Sequence, residues 1–192
     1  LSYNGGEITN WQTGELMYEN VLDADVLPYL YQCAKENNFA IVTYKDKYVL
    51  TEHPDDEYVL KEAILNVMET QKVDNFLEAI DFPVAKCLIV GEATRLAVLE
   101  KEMYEVLKDR MGVYRSEPYF LELVPKGIDK AQSLAVLLEK IGATKEEMIA
   151  VGDGFNDLSM IKFAGLGVAM ANAQEVVRQS ADYITLSNEE DG

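Results

Sequence analysis

The sequence predicts an α/β protein, in which part of a Rossmann-like parallel-sheet core is joined to a separate α+β unit. Three observations carry that expectation. From Met148 onward, short apolar strands alternate with helices, the pattern that builds βαβ units and a parallel sheet. The stretch before Glu117 is instead strand-dense and mixed, so a different architecture is expected there. Hydrophobic residues make up 48% of the 192 residues, enough for packed cores and too many for a disordered chain. Two units of different architecture are expected, with the boundary near Glu117 to Tyr119.

Each element has a local reason. Asn4-Gly5-Gly6 and Thr13-Gly14 are turns flanking a short β-like run from Glu7 to Trp11. Leu16 to Leu22 reads as a strand. Asp23 and Asp25 are candidate N-caps for a helix with apolar positions Val26, Leu27, Leu30 and Ala34, which Asn37-Asn38 ends. Phe39 to Tyr44 is β-branched and aromatic, and Lys45-Asp46 turns it into Tyr48 to Thr51 as a hairpin. Val59, Leu60, Ala63, Ile64, Val67 and Met68 recur at helical spacing between Tyr58 and Glu69. Ala85 to Val90 is a strong strand. Glu92 to Arg110 is a long amphipathic helix with Leu96, Leu99, Met103, Val106 and Leu107 on one face. Two strands surround Glu117-Pro118, at 112–116 and 119–124. A helix over 127–141, a strand over 148–151, a helix over 157–164, a strand over 167–170, a helix over 174–180 and a last strand over 183–186 complete the chain.

Charge excludes some classes of function. With 17 Lys+Arg against 34 Asp+Glu the net charge is −17, and phosphodiester backbone or an anionic membrane surface would need a basic stripe. Nucleic acid and membrane are therefore not expected partners. A small anionic substrate is compatible, because an acidic site can recruit a divalent cation. Two scattered cysteines and a single histidine fit a reduced, cytoplasmic protein with no structural zinc. The apolar runs fall far short of the ~20 residues that span a bilayer. The chain opens at Leu1 without methionine or a basic leader.

The chemistry concentrates in Gly152-Asp153-Gly154-Phe155-Asn156-Asp157, directly after the apolar run Ile149-Ala150-Val151. Ligands bind at the carboxyl ends of parallel strands, and Asp153 would stand at that tip. Oxygen ligands without histidine or cysteine point to a hard cation, and Mg²⁺ suits so few protein ligands. Asp153, Asn156 and Asp157 are the candidate metal ligands. The second constellation is Pro125-Lys126-Gly127-Ile128-Asp129-Lys130-Ala131, where a lysine at a helix mouth can neutralise phosphoryl oxygens. Taken singly, each lysine reads better as a solvated residue at a helix start. Tyr44, Tyr48 and His53 cluster near the hairpin, where packing is the expected role.

Together these segments resemble the haloacid dehalogenase (HAD) superfamily, and within it the Cof-type sugar-phosphate phosphatases with a large α/β cap. Residues from about Gly14 to about Glu117 resemble the cap, and Pro118-Tyr119-Phe120-Leu121-Glu122 the return to the core. Gly152 to Asp157 matches motif IV, Lys130 falls at the motif III lysine, and 167–173 and 180–185 match the last core elements. The resemblance implies a Mg²⁺-dependent phosphatase of small phosphorylated metabolites such as sugar phosphates, acting through an aspartyl-phosphate. It implies Asp153 as a metal ligand, Asn156 as a group that orients phosphate or a metal-bound water, and Asp157 as a holder of a metal-bound water or of Lys130. Lys130 itself would bind the phosphoryl group, so Lys130, Asp153 and Asp157 form the implied catalytic set. The family's nucleophilic DxD run has no counterpart here: Asp23-Ala24-Asp25 lacks the preceding strand and reads as a helix cap. The chain therefore reads as an internal fragment without its nucleophile, inactive alone, with an open sheet edge that would form a homodimer or pair with the missing core segment. The alternatives are a non-catalytic binding or self-associating piece, and a phosphomutase-type phosphotransferase.

Overall fold

The computed structural model describes residues 2–192; Leu1 lies outside the described residues. The chain forms two compact units, one built from the residues up to Glu19 together with Ile128–Gly192, the other from Asn20–Gly127. In the first unit β1 (Glu7–Thr9) pairs antiparallel with β2 (Leu16–Glu19).

The contiguous unit holds α1 (Leu27–Glu36), β3 (Ala40–Lys45), β4 (Tyr48–Thr51), α2 (Glu57–Leu65), β5 (Glu69–Lys72), β6 (Cys87–Val90), α3 (Ala93–Leu107), β7 (Met111–Glu117) and β8 (Phe120–Pro125). Its six-stranded sheet has the order β5-β4-β3-β6-β8-β7 and is antiparallel except for the β4–β5 pair. The amphipathic stripe of α3 (Leu96, Leu99, Met103) and that of α1 (Leu27, Leu30, Ala34) close on Ile41, Cys87, Ile89, Leu121 and Leu123 of the sheet. Each such side chain taken from water contributes about 1.5–3 kcal/mol before conformational entropy is set against it.

Several expectations are corrected here. The strand over 119–124 is not a return to the core: β8 lies between β6 and β7, with Cys87 opposite Leu123 and Val90 opposite Phe120. The compact units accordingly divide at Glu19/Asn20 and Gly127/Ile128 rather than at 13/14 and 117/118. The helix expected to reach Glu69 stops at Leu65, where Asn66 takes the C-cap and Val67 turns at φ 55°. The chain then enters β5, a polar edge strand parallel to β4. Asp23 and Asp25 do not cap α1; Val26 holds the N-cap position without a side-chain bond, and both aspartates accept from the Arg110 guanidinium at 2.8–3.3 Å. Tyr44 is buried, and its hydroxyl donates to the buried Glu62 at 2.5 Å.

The remainder of the first unit comprises α4 (Lys130–Ile141), β9 (Ile149–Gly152), α5 (Leu158–Phe163), β10 (Leu166–Ala169), α6 (Glu175–Arg178) and β11 (Tyr183–Ile184). The strands form the expected parallel sheet, in the order β11-β10-β9, with Ala169 opposite Gly152. Its buried apolar cluster is Ile161, Ala169, Ala173 and Val177. Ser133 of α4 ties the N-terminal segment to this unit by donating to the Gly5 carbonyl at 2.6 Å. No helix among the described residues is long and apolar enough to cross a membrane.

Candidate active site

β9 runs apolar to Gly152 and delivers Asp153 to the carboxyl edge of the parallel sheet, where the side chain is exposed. The chain then makes a single 3₁₀ turn over Phe155–Asp157 and enters α5. That turn folds Asp157 back beneath the loop. Its Oδ2 accepts the backbone N–H groups of Asp153 and Gly154, both at 3.1 Å, and its Oδ1 accepts Lys130 Nζ at 2.5 Å. The return is tight: a Cβ on residue 152 would stand 2.4 Å from Asp157 Cβ, so glycine is required there.

Lys130 is the first residue of α4. It does not lie a turn inside the helix, because Asp129 caps it and accepts Ala131 N–H at 2.7 Å. The lysine thereby reaches Asp157 across the unit's interior. Lys126 belongs to the other unit and donates to the Asp109 carbonyl at 2.7 Å. Burial alone would raise the Asp157 carboxyl. Donation from Lys130 and from the N–H groups of Gly154 and Asp153 outweighs it and holds the group below the ordinary aspartate range.

The structure thus brings Lys130, Asp153, Asn156 and Asp157 to one loop but separates their roles. Asp153 and Asn156 face outward, whereas Asp157 is 7% exposed with both oxygens already accepting. The expectation of Asp157 as an open metal ligand is corrected: it anchors the lysine and the loop amides. The backbone N–H groups of 153 and 154 are likewise spent on Asp157. Among the described residues no three Asp, Glu, His or Cys converge into a metal cage. A hard cation held by one or two oxygen ligands and otherwise by water and substrate fits the exposed Asp153–Asn156 pair; a fully protein-bound ion does not.

One further side chain reaches the site. Asn172, just beyond β10, donates from Nδ2 to Asp153 Oδ2 at 3.2 Å. The parallel pairing of β9 with β10 was the signal that could have found it, since residues following neighbouring parallel strands share one edge.

This site stands at the strand tips of a small parallel sheet, in a chain that also carries an α+β unit. A family model described as haloacid dehalogenase-like hydrolase matches residues 1–192, and the chain belongs to that family. A haloacid dehalogenase-like hydrolase from Bacteroides thetaiotaomicron, solved as a crystal structure, is 60% identical and superposes with a TM-score of 0.95, covering 99% of this chain and 71% of that one. The 5-amino-6-(5-phospho-D-ribitylamino)uracil phosphatase YcsE of Bacillus subtilis is 47% identical over 96 residues, 49% of this chain and 39% of that protein. A second phosphatase of the same name, YitU of Bacillus subtilis, is 29% identical over 195 residues, 100% of this chain and 72% of that protein.

Proposed function

We propose that the chain supplies the lysine and metal-binding half of a Mg²⁺-dependent phosphatase acting on small phosphate monoesters of the sugar-phosphate kind. The observation that carries this reading is the Lys130–Asp157–loop lattice beside the outward Asp153 carboxylate. The names of YcsE and YitU support it: a ribitylamino phosphate is a polyol monophosphate, an open-chain counterpart of a sugar phosphate.

Each residue then has a task. Asp153 holds the cation with Asn156 beside it, and Mg²⁺ when bound neutralises charge on the phosphoryl oxygens. Lys130 contributes a second positive charge toward the phosphoryl group, and Asp157 fixes where that charge stands. The phosphoryl group passes from the substrate oxygen to a carboxylate nucleophile, the alcohol leaves, and water cleaves the acyl phosphate. Asp153 is committed to the cation and Asp157 to Lys130, so neither attacks. The family's nucleophilic DxD run has no counterpart in the sequence, so this chain alone is expected to bind Mg²⁺ without turning substrate over.

The test is to assay the purified chain with Mg²⁺ on a panel of sugar and polyol phosphates, alongside a longer form that carries a nucleophile. Turnover by the 192-residue chain near that of the longer form would overturn the division of labour. Full activity of the longer form's Asp153→Asn variant at low Mg²⁺ would overturn the metal assignment.

A further inference from the structure

We propose that Asn172 is the positioning residue of Asp153. It fixes one carboxylate oxygen through an uncharged donor, so that the exposed carboxylate keeps its net negative charge for the cation. This rests on the reading of Asp153 as the metal-holding residue.

The geometry makes the lock directional. Asn172 Oδ1 accepts the backbone N–H of Asn188 at 3.0 Å. A backbone N–H can only donate, so the carbonyl end of the amide must face Asn188 and the NH₂ end must face Asp153 Oδ2. The backbone is held from the same segment: Met170 N–H bonds the Gly152 carbonyl at 3.0 Å, and Gln174 N–H bonds the Asp153 carbonyl at 3.2 Å. The loop after β10 therefore grips Asp153 at its main chain and at one oxygen.

The chemistry explains why an amide serves here. A lysine at this position would neutralise the carboxylate and compete with the cation, and a carboxylate would repel it. An amide fixes the rotamer while leaving the charge intact, so an exposed aspartate need not be ordered at the moment of binding.

The experiment reads the metal-free chain by NMR, taking the Asp153 χ1 population from three-bond couplings to its carboxyl carbon. Wild type, Asn172→Ala and Asn188→Pro are compared. Asn188 is the second residue of the turn closed by Glu190 N–H on the Ser187 carbonyl at 3.0 Å, a place proline favours, so that variant removes the N–H and keeps the backbone. The expected result is one dominant rotamer in wild type, averaging in Asn172→Ala, and partial averaging in Asn188→Pro. An unaveraged Asp153 in Asn172→Ala, or an averaged one in wild type, overturns the proposal. If Asn172→Ala does not fold, an unaveraged Asp153 in Asn188→Pro overturns it instead. Titration with Mg²⁺ alone should then show affinity about tenfold weaker in Asn172→Ala, the lower end of what second-layer partners of metal ligands are worth; unchanged affinity also overturns it. Asp153→Asn separates the two readings. If that variant binds Mg²⁺ like wild type, the metal assignment fails, while the couplings still judge Asn172 on their own.

Discussion

At the scale of single residues, the two lysines of the 125–131 segment part company. Lys130 compensates a carboxylate that is otherwise buried, and its removal leaves Asp157 with two N–H donors and no cation. Lys130→Ala should cost about 1.5–3 kcal/mol of local stability, the range for hydrogen bonds to charged groups. Lys126→Ala, which loses a surface contact to a carbonyl, should stay within about 0.5 kcal/mol. Amide hydrogen exchange in β9 and β8 respectively measures both, and equal losses would contradict the assignment. Glu52 offers a pH-dependent counterpart. Its Oε1 accepts the Tyr31 hydroxyl and the Phe76 N–H, both at 2.8 Å, joining three segments of the contiguous unit. Burial alone would raise this carboxyl; the Phe76 and Tyr31 bonds, with His53 and Lys35 nearby, bring it below the ordinary glutamate value. The folded state therefore binds fewer protons than the unfolded one between the two values. Its contribution is complete above the unfolded value of about 4.3 and is lost as pH falls through the lowered folded one. Glu52→Gln should flatten the acid limb of the stability curve in that window, as read by denaturant unfolding at a series of pH values; an unchanged limb would remove Glu52 as its source.

At the scale of elements, what could be read in advance depended on whether the cause was local. α3 and α4 carry their own periodicity and caps, and β6 and β9 are short apolar runs, so all four form where the pattern indicates, with ends that shift by one to three residues. β5 could not be read: Glu69-Thr70-Gln71-Lys72 has no apolar alternation and is a strand only because β4 lies beside it. β8 was legible as a strand but not as a member of its sheet. Phe120–Pro125 is buried throughout, a pattern that suits a parallel core strand as well as an interior antiparallel one. The site shows the same division. The run from Gly152 to Asp157 marked the loop, but the inward turn of Asp157 and the reach of Asn172 depend on tertiary neighbours. One prediction belongs here. α5 seats on β10 so closely that a Cβ at Gly167 would stand 2.2 Å from the Ile161 carbonyl oxygen, a backbone atom that cannot rotate away. Gly167→Ala should force the helix off the sheet and cost about 1–3 kcal/mol as overpacking. It should also loosen the Asp153 loop, which enters α5. Wild-type exchange rates in α5 and β10 in that variant would show that the packing yields more easily than the geometry implies.

At the scale of the whole molecule, the two units differ in how they are made. Asn20–Gly127 is one continuous stretch with a six-stranded sheet and a core drawn from α1, α3 and four strands. Its two ends meet at one cleft of about 180 Å³, which Asn20, Leu22, Pro125 and Lys126 all line, and Leu22 N–H is bonded to the Val84 carbonyl at 2.8 Å. Cutting the chain at those ends therefore breaks no strand of that sheet. The other unit is assembled from two separated segments, with small residues such as Ala150, Ala169 and Ala173 prominent among its buried apolar side chains, and Ile149, Phe155 and Tyr183 are all more than 60% exposed. The contacts that join its two segments, those of α4 with the residues up to Thr9, form only when a loop as long as the entire contiguous unit closes, whereas the contiguous unit closes only loops within itself. Residues 20–127 expressed alone should accordingly fold cooperatively, with the marginal stability of roughly 5–15 kcal/mol usual for a domain, and should not respond to Mg²⁺, since Asp153 lies elsewhere. In the intact chain the amides of β3, β6 and β8 should exchange more slowly than those of β9, β10 and β11. A collapsed NMR spectrum from residues 20–127, or slowest exchange in β9, would mean that the contiguous unit depends on the rest of the chain for its fold.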